Sequence, residues 1–443
     1  MNFADLIIEA CGLQDVFIDS FKIDKANLKL DIYARQDRQK CRCLSCNSEL
    51  LDVHDWRIRV FRGPPIGAFC EVWIHLKRLR AVCDTCQGEL RMSPIKGLHP
   101  QFGNMTLALA EVSGRLMEEI TCEATARLLR LNPKTMWDLD QWRMRRMHKD
   151  YKLPEDLDVS LMSADEVHFR TIANDIRISP FSGKYITKYF TNLVVTLVSK
   201  VVANNDGRDA MALAKCLKIL PKKTREKVQY FALDMNAGFF NAVRKLCPNA
   251  EIAVDRFHLV QDLNKHFNEV RKEEFKKAKQ RKDEFQEGML EPGRRFILME
   301  RNPILSVEES NMLGKLKMLN VNINAAMLIV DYFHKVLDKT TIPKFRKALA
   351  QWYGIVREAK LKHFKKFALL VRKYRLNIEA YIRSDLTTAI SEGINNKIKV
   401  LKRMAYGYTN PESFKNKILQ RCGFLNSNYM DTALWHWHIP HPH

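Results

Sequence analysis

The sequence predicts a multidomain α/β protein, and three features of its 443 residues indicate this class. Two Cys-x-x-Cys pairs lie near the N-terminus, a helical region follows them, and apolar runs of strand length then alternate with amphipathic helical segments. A chain of this length is expected to form two to three domains. The order of the features places a small β head and a helical unit before an α/β core.

The charge of the chain indicates its partner. Its formal net charge is +22, which predicts a polyanion, and nucleic acid is the first candidate because neutralising phosphates releases counterions. A membrane is not expected, since the longest apolar run, Asn192 to Ala203, is broken by Lys200 and falls short of the roughly 20 residues needed to span a bilayer. The first residues lack a secretory signal pattern, so a cytoplasmic location is expected.

The two Cys-x-x-Cys pairs predict a metal site in the head, residues 1–100. Their members are Cys43, Cys46, Cys83 and Cys86. Four thiolates in two such pairs are typical of a tetrahedral site, so one structural Zn²⁺ is predicted, with an iron–sulfur cluster or a redox pair as alternatives. Cys41 is a spare thiol, and His54 or His75 could replace one ligand.

The rest of the head is expected to be β structure. Residues 1–39 suggest short strands, and Val53 to Val60 and Cys70 to Leu79 are predicted as two strands around a Gly-Pro-Pro turn. The second strand carries Arg78 and Arg80, which are candidate DNA contacts. A solvated basic face is the alternative interpretation of these arginines.

Residues 101–150 form a helix-turn-helix candidate. Asn132 is a possible cap and Pro133 suits the first helical turn, so a helix is predicted to begin there. This second helix would carry Lys134, Thr135, Trp137 and Arg143 toward a DNA groove. A two-helix hairpin without DNA contacts has a similar pattern.

The pattern changes to strands after a polar linker. Residues 158–256 read as three strands, a helix, a strand ending at Asp234, a helix and a last strand, which is the order of a ribonuclease-H-like core. Residues 257–381 are helical and basic throughout, as in an all-helical insertion, and residues 339–375 hold twelve Lys or Arg but one acid. Residues 382–425 would complete the core, and the His-rich residues 426–443 are expected to form a flexible tail.

Three carboxylates in this region suggest a Mg²⁺ site. Asp165 and Asp234 lie at the ends of apolar runs, and Glu392 opens an amphipathic helix that is otherwise basic. Oxygen ligands of this kind are those that Mg²⁺ prefers. The alternative for Glu392 is that it only complements the helix dipole.

Four short motifs carry a resemblance to a known family. They are Glu-Gly-Ile-Asn-Asn-Lys-Ile-Lys from Glu392, Lys-Arg-Met-Ala-Tyr-Gly-Tyr from Lys402, Leu-Asp-Met around Asp234, and Val-Asp-Arg-Phe-His around Asp255. With them the chain, from about residue 40 to about residue 425, resembles bacterial insertion-sequence transposases of the DDE class, in the branch with an N-terminal cysteine-rich zinc head.

The resemblance implies a ribonuclease-H-like catalytic core, two Mg²⁺ ions, and cleavage and strand transfer on double-stranded DNA. Asp165 would bridge both ions, Asp234 would hold one and Glu392 the other, with water and then a 3′ hydroxyl as nucleophile. The expected DNA partners are the terminal inverted repeats and the target. Pairing of two ends implies a homodimer or larger assembly, associated with the bacterial nucleoid.

The helix after Glu392 adds further DNA contacts to the expectation. They are Lys397, Lys399, Lys402 and Arg403. Lys399 follows Glu392 by about two helical turns and is therefore expected near the same face.

Two ligand assignments stay open at the level of sequence. Glu166 is adjacent to Asp165, and only one of the two can point into the site from a strand. Asp255 also ends an apolar run, although Arg256 and His258 after it could pair with its carboxylate, so Asp234 is preferred. The segment after Glu166 is also longer than the family pattern suggests. Alternative functions are a non-catalytic DNA-binding regulator and an unrelated Mg²⁺ nuclease.

Overall fold

A computed structural model describes residues 3–425 except 51, 150, 173–185, 295–297, 299–304, 387, 406 and 409. The chain forms two units, one comprising Met1–Leu153 with Leu401–His443 and the other Pro154–Val400. The architecture is mixed α/β, with an N-terminal sheet, a cysteine cluster and a largely helical C-terminal half. The predicted tail, 426–443, lies outside the described residues.

The first unit opens with a helix and a five-stranded sheet. The elements are α1 (Phe3–Ala10), β1 (Val16–Asp24), β2 (Lys29–Gln36), β3 (Asp52–Gly63), β4 (Glu71–Cys83) and β5 (Glu89–Met92). The strand order is β1-β2-β4-β3 with β5 on β4, and β2 and β4 are parallel. The strand prediction for residues 1–39 was wrong for Phe3–Ala10, because α1 buries Ile7 against the sheet residues Ile32 and Ile74.

Three helices follow in the first unit. They are α2 (Leu107–Glu119), α3 (Cys122–Leu129) and α4 (Pro133–Lys149). The predicted start of α4 is confirmed: Oδ1 of Asn132 accepts a hydrogen bond from the backbone N–H of Lys134 at 2.8 Å. The preceding turn contains Arg130 in the left-handed conformation, with φ of 50°. Helix, three-residue turn and helix therefore lie where the helix-turn-helix was expected.

A buried arginine ties the sheet to these helices. The Arg62 guanidinium donates to the carbonyl oxygens of Leu129 at 2.9 Å, Arg130 at 3.1 Å and Cys70 at 3.2 Å. The carbonyls at the end of α3 lack intrahelical partners, so Arg62 satisfies them. The head and the helical region are thus joined within the first unit.

The second unit begins with a five-stranded sheet and three helices. The strands are β6 (Leu161–Ile172), β7 (Ile186–Val195), β8 (Lys200–Asp206), β9 (Tyr230–Leu233) and β10 (Glu251–Val254), and the helices are α5 (Ala210–Lys218), α6 (Lys222–Arg225) and α7 (Ala237–Leu246). The order across the sheet is β10-β9-β6-β7-β8. β6, β7 and β8 are antiparallel neighbours, whereas β9 and β10 run parallel to β6. All five strands predicted for residues 158–256 are present.

A helical region follows β10, where the insertion was predicted. Its helices are α8 (Arg256–Arg281), α9 (Glu284–Leu290), α10 (Val307–Leu319), α11 (Val321–Leu337), α12 (Ile342–Ala359), α13 (Lys362–Lys373) and α14 (Arg375–Ser384). Its core is aromatic, with the rings of Trp352 and Phe367 at 4.8 and 5.1 Å from that of Phe333. α14 returns to the sheet, where Asn377 donates to the carbonyl oxygen of Ile252 at 2.8 Å.

Two helices end the described chain, α15 (Ala389–Met404) and α16 (Pro411–Cys422). The second unit ends at Val400, within α15, and α16 belongs to the first unit. The predicted domain 382–425 is therefore divided between the two units. α16 packs on α2 and α4. No helix of the described residues is long and apolar enough to cross a bilayer.

Candidate active site and metal centre

Four cysteine thiols converge at one end of the head. The Sγ atoms of Cys43, Cys46, Cys83 and Cys86 all lie within 4.8 Å of one another. Sγ of Cys46 is 3.4 Å from that of Cys83, and Sγ of Cys43 is 3.9 Å from that of Cys86. Sulfurs that share a tetrahedral Zn²⁺ are roughly 3.8 Å apart, given Zn–S bonds of about 2.3 Å. The cluster therefore has the chemistry and the spacing to hold one structural zinc ion.

Backbone turns direct the thiols of each cysteine pair toward the centre of the cluster. Asn47, with φ of 59°, follows Cys46, and Gln87 and Gly88, with φ of 59° and 77°, follow Cys86. Residues in this left-handed region turn the chain back, and the N–H of Gly88 donates to the carbonyl oxygen of Cys83 at 3.1 Å. Each turn thus presents two thiols from the same side.

Hydrogen bonding makes the thiols of the cluster unequal. Bonding from Ser48, whose hydroxyl is 3.3 Å from Sγ of Cys46, lowers the pKa of the Cys46 thiol to about 6. The neighbouring Cys46 sulfur, followed by burial, raises the pKa of the Cys86 thiol to about 12. One thiolate is therefore already favoured near neutral pH, and cation binding would be needed to ionise the Cys86 thiol.

The alternative ligands lie elsewhere. Sγ of Cys41 donates to the carbonyl oxygen of Asp37 at 3.3 Å. Nε2 of His75 is 2.7 Å from a carboxylate oxygen of Asp31, and His54 lies against Asp55. Among the described residues, the four predicted cysteines are the only group of three or more potential ligands that converge this tightly.

The parallel strands of the second unit bring the aspartates to one edge of the sheet. Ser163 of β6 pairs with Ala232 of β9, and two residues beyond each are Asp165 and Asp234. Leu233 pairs with Val254 of β10, and Asp255 comes next on that strand. The three aspartates therefore stand at the same level, with Asp234 and Asp255 just beyond the carboxyl ends of β9 and β10 and Asp165 within β6. Ligands commonly bind α/β sheets at the carboxyl ends of their parallel strands.

Asp165 is a partly buried carboxylate that faces α15. Its Oδ2 accepts a hydrogen bond from Nδ2 of Asn395 at 2.7 Å. Burial raises the pKa of the Asp165 carboxyl, and the nearby Asp234 adds to this effect. Burial, followed by the charge of Asp165, also raises the pKa of Glu166. A cation bound beside Asp165 and Asp234 would relieve the repulsion between their carboxylates.

Hydrogen bonds fasten α15 to this edge. The Ser391 hydroxyl is 2.5 Å from that of Ser163, and Oδ1 of Asn395 accepts a hydrogen bond from Asn192 at 3.3 Å. Ser391 and Asn395 are one helical turn apart, so they share one face. Ser163 and Asp165 likewise share one face of β6. Asp165 therefore lies on the side of β6 that α15 covers, and Glu166 alternates to the other side.

Glu392 lies on this anchored turn of the helix, between Ser391 and Asn395. Its side chain is half-buried. Lys399, seven residues later, is exposed and lies 3.3 Å from Oδ1 of Asn396. The helix thus presents Glu392, Asn396 and Lys399 along one stripe.

Asp255 has a structural role. Its carboxylate caps α8 by accepting from the backbone N–H of Phe257, and it accepts two hydrogen bonds from the backbone and hydroxyl of Thr388, just before α15. Asp255 is 2% exposed, so these contacts occupy it within the protein. The expected pairing with its neighbours was wrong.

Those neighbours bind other carboxylates. Arg256 pairs with Asp338 at 2.7 Å, and Nε2 of His258 lies 3.8 Å from Oδ2 of Asp234. His258 also acts electrostatically on Asp165 and Glu166. His258 and Asn395 were not predicted from the sequence to lie beside Asp234 and Asp165. The spacing of Asn395 from Glu392, three residues on a helix, was the available signal.

The comparison with known proteins identifies the family. The sequence profile of a family described as transposase, the ISL3 family, matches residues 177–418, more than half of the chain. The chain belongs to the ISL3 family of transposases. The transposase of insertion sequence element IS1001 from Bordetella parapertussis is 25% identical over 390 residues, covering 88% of this chain and 90% of that protein. The transposase of IS1557 from Mycobacterium tuberculosis is 21% identical over 256 residues, 54% of this chain and 57% of that protein.

The insertion-sequence resemblance is thereby confirmed, whereas several predicted DNA contacts of this transposase are occupied by the protein itself. Arg80 donates to both carboxylate oxygens of Asp55, at 2.8 and 2.5 Å. Nε of Arg78 donates to the carbonyl oxygen of Ser93 at 2.6 Å, and burial lowers the pKa of its guanidinium. These strand arginines support the sheet, because β4 is flanked by strands on both sides.

Two residues of the predicted recognition helix of the transposase also point inward. Arg143 is 5% exposed, packs across Gly114 and binds Glu118 and Glu111. Trp137 lines a cavity of about 180 Å³ within the first unit. The helix face that carries them packs against α2 and the C-terminal segment, which holds Arg143 within the protein, and the assignment of the two residues as DNA contacts stays a prediction.

The remaining predicted contacts of the transposase are more accessible. Lys134, Lys397, Lys399 and Arg403 are exposed, and Thr135 and Lys402 are half-buried. Lys134 forms an exposed ion pair with Asp138 at 2.7 Å, a pair of little energetic consequence. Burial lowers the pKa of Lys402.

The C-terminal helix of the transposase supplies a buried ion pair that sequence analysis missed. Nζ of Lys417 lies 3.0 Å from Oδ2 of Asp140 in α4 and 2.8 Å from the carbonyl oxygen of Met117 in α2. Lys417 is 8% and Asp140 1% exposed. Ser413 also donates to Oε1 of Gln141 at 2.5 Å. α16 therefore fixes the position of α4.

Proposed function

We propose that this transposase binds the terminal inverted repeats of its insertion sequence and catalyses Mg²⁺-dependent cleavage and strand transfer. Asp165, Asp234 and Glu392 are the proposed catalytic carboxylates. The observation that carries the proposal is the strand register that sets Asp165 level with Asp234, together with the hydrogen bond from Asn395 that ties the Glu392 helix to Asp165.

The second unit is inferred to be a ribonuclease-H-like core. Three antiparallel strands followed by two strands parallel to the first, in the order β10-β9-β6-β7-β8, support this inference. In the chain, the proposed helical insertion separates Asp234 from the helix that carries Glu392. Only the return of the chain through α14 and Thr388 brings that helix back to the strand ends.

The carboxylates fit a Mg²⁺ site in chemistry, since all proposed donors are oxygens. Two bound ions would supply an activated oxygen nucleophile and stabilise the leaving 3′ oxygen. Within the protein, Asn395 orients the Asp165 carboxylate and Asp255 holds the start of the Glu392 helix. His258 contributes an imidazole beside Asp234.

DNA recognition is assigned to the first unit and to the exposed face of α4. Lys134, Arg145 and Lys149 are exposed on that helix, whereas its opposite face is buried. We infer that this face contacts the terminal repeat and that Lys399 contacts the strand to be cut. Because two ends must be joined, the active form is a homodimer or larger assembly.

The test compares purified Asp234→Asn and Asp255→Asn proteins in Mg²⁺-dependent cleavage of end DNA, with binding measured in parallel. The Asp234 variant is expected to bind end DNA normally and to lose about three orders of magnitude in cleavage rate, because a metal ligand contributes several kcal/mol to the transition state. The Asp255 variant is expected to be less stable, by about 1.5–3 kcal/mol for a lost charged acceptor.

Normal cutting by Asp234→Asn together with a folded but inactive Asp255→Asn protein would move the site to Asp165, Asp255 and Glu392. A wild-type protein that binds end DNA but never cuts it with Mg²⁺ would favour the non-catalytic regulator. Binding without preference for end DNA would remove the assignment to terminal repeats.

A further inference from the structure

A cationic groove lies in the helical insertion, between α12, α13 and α14. It encloses about 760 Å³, and its charged lining residues are Arg357, Arg372, Lys373 and Arg375. No carboxylate lines it among the described residues. Glu379 of α14 is 1% exposed and already binds Arg346 through two hydrogen bonds of 2.9 and 2.7 Å. The groove therefore keeps a positive charge.

Two of these arginines have no side-chain partner within the described part of the chain. Arg357 and Arg372 are exposed and form no ion pair or side-chain hydrogen bond within the described part of the chain. By comparison, Arg375 is 3.6 Å from Glu379, and Nζ of Lys373 lies 5.0 Å from the ring centre of Tyr374. Unpaired arginines on one groove are free to form bidentate contacts with phosphate.

A tyrosine adds an unused hydrogen-bonding group. The Tyr353 hydroxyl, which belongs to the groove lining, is buried and has no hydrogen-bond partner in the described structure. Burial raises the pKa of this phenol, against the opposing effect of the nearby Arg372 and Arg375 charges. A buried hydroxyl without a partner costs free energy, which a ligand acceptor would recover.

The lining of the groove is also apolar. Leu369 and Leu376 line it and are 67% and 64% exposed. A nucleic-acid backbone alternates anionic phosphates with apolar sugars, so arginines beside exposed leucines are complementary to it. An acidic peptide is the competing kind of partner, and the experiments below distinguish the two.

We propose that the groove formed by α12, α13 and α14 is a second DNA-binding site of the transposase, which holds the phosphodiester backbone through Arg357, Arg372 and the Tyr353 hydroxyl. Its lining residues belong neither to the recognition helix nor to the carboxylate edge. The inference rests on the proposed function, since it assigns a further part of the same DNA substrate to the insertion.

The first experiment measures DNA affinity of the full chain against salt concentration. The Arg357→Gln/Arg372→Gln variant is compared with Lys276→Gln/Lys279→Gln, which removes the same charge from exposed lysines of α8. Loss of two phosphate contacts is expected to reduce the slope of log affinity against log salt by about two in the groove variant only. The ratio of end-DNA to random-DNA affinity should stay constant, because backbone contacts carry no sequence information. Equal losses in both variants would overturn the proposal.

The second experiment removes a single hydroxyl. Tyr353→Phe is expected to bind DNA about tenfold more weakly, equivalent to about 1.4 kcal/mol. Its melting temperature should not fall, because the hydroxyl has no partner within the protein. A variant with unchanged affinity, or with affinity and melting temperature lowered together, would contradict the assignment.

The third experiment identifies the partner by photocrosslinking. A benzoylphenylalanine residue is placed at Leu369, in the groove, or at Leu328 of α11, which is 54% exposed and outside it. Irradiation with end DNA is expected to join DNA to position 369 and not to position 328. Crosslinks from 369 to protein instead of DNA would replace the DNA interpretation with a peptide partner.

Failure of this inference and failure of the proposed function are distinguishable. If wild-type protein binds and cuts end DNA while the groove variant matches its control, only the groove assignment is wrong. If wild-type protein neither binds nor cuts end DNA, the proposed function itself is wrong.

Discussion

Nδ2 of Asn395 donates a 2.7 Å hydrogen bond to Oδ2 of Asp165, across a sequence separation of 230 residues. The same amide accepts from Asn192 through Oδ1 at 3.3 Å. Both polar atoms of the Asn395 side chain therefore have a partner. These two hydrogen bonds set the position of the Glu392 helix relative to β6 and β7.

Asn395→Ala should therefore reduce cleavage without abolishing DNA binding. Residues that orient a metal ligand commonly contribute about 10–100-fold to activity. The measurement is the Mg²⁺-dependent cleavage rate at saturating end DNA. Val400→Ala changes a residue of the same helix that is 42% exposed and serves as the control. Equal rates for the two variants would show that Asn395 has no positioning role.

The raised pKa of Asp165 predicts a pH-dependent stability cost. Its carboxyl binds a proton more tightly in the folded state than at its ordinary pKa of about 3.9, so stability falls as pH rises from that value through the folded pKa. Without Mg²⁺, Asp165→Asn should be more stable than wild type at pH 7 and similar to it near pH 4. Melting temperatures at the two pH values test this, with the exposed Asp331→Asn as control. A variant less stable at both values would contradict the prediction.

The cysteine cluster predicts about one zinc ion per chain. Cys83→Ser/Cys86→Ser should lose the zinc and, with it, specific end-DNA binding, because a small head depends on its metal for stability. Elemental analysis and melting temperature are the measurements. Cys41→Ser, at a buried thiol outside the cluster, should retain the metal. Iron with visible absorbance, or no metal at all, would refute the zinc assignment.

The Asp140–Lys417 pair predicts a strongly non-additive mutant cycle. Asp140→Leu alone leaves a buried ammonium unpaired and should cost about 3–5 kcal/mol, whereas Asp140→Leu/Lys417→Met should cost much less. Urea denaturation of the four proteins measures the coupling. Additive costs would mean that the pair is not formed.

The same contact predicts that residues 1–153 need the C-terminal helix. A fragment of residues 1–153 should be less stable and bind end DNA more weakly than one in which residues 401–425 are joined to it by a flexible linker. Identical behaviour of the two fragments would show that α16 does not support the recognition helix.

Much of the local structure could be predicted from the sequence. The strands of the second unit, the start of α4 at Pro133 and the four cysteine ligands follow from apolar periodicity, capping and short-range spacing. These signals are local because backbone geometry repeats every two residues in a strand and every 3.6 in a helix. The position of Asp234 at a strand end follows from the same patterns, whereas β6 continues beyond Asp165 to Ile172.

The tertiary structure decided which partners the polar side chains have. Arg143 and Arg80 carry the charge expected of DNA contacts, yet the fold pairs them with Glu118 and Asp55. Asp140 meets Lys417 across 277 residues, and no local pattern records that contact. Ion pairs and side-chain hydrogen bonds depend on which helix faces are covered, and that is determined only when distant segments pack together. The sequence therefore determined the elements and the kind of chemistry, whereas the packing determined which cations remain free to bind DNA.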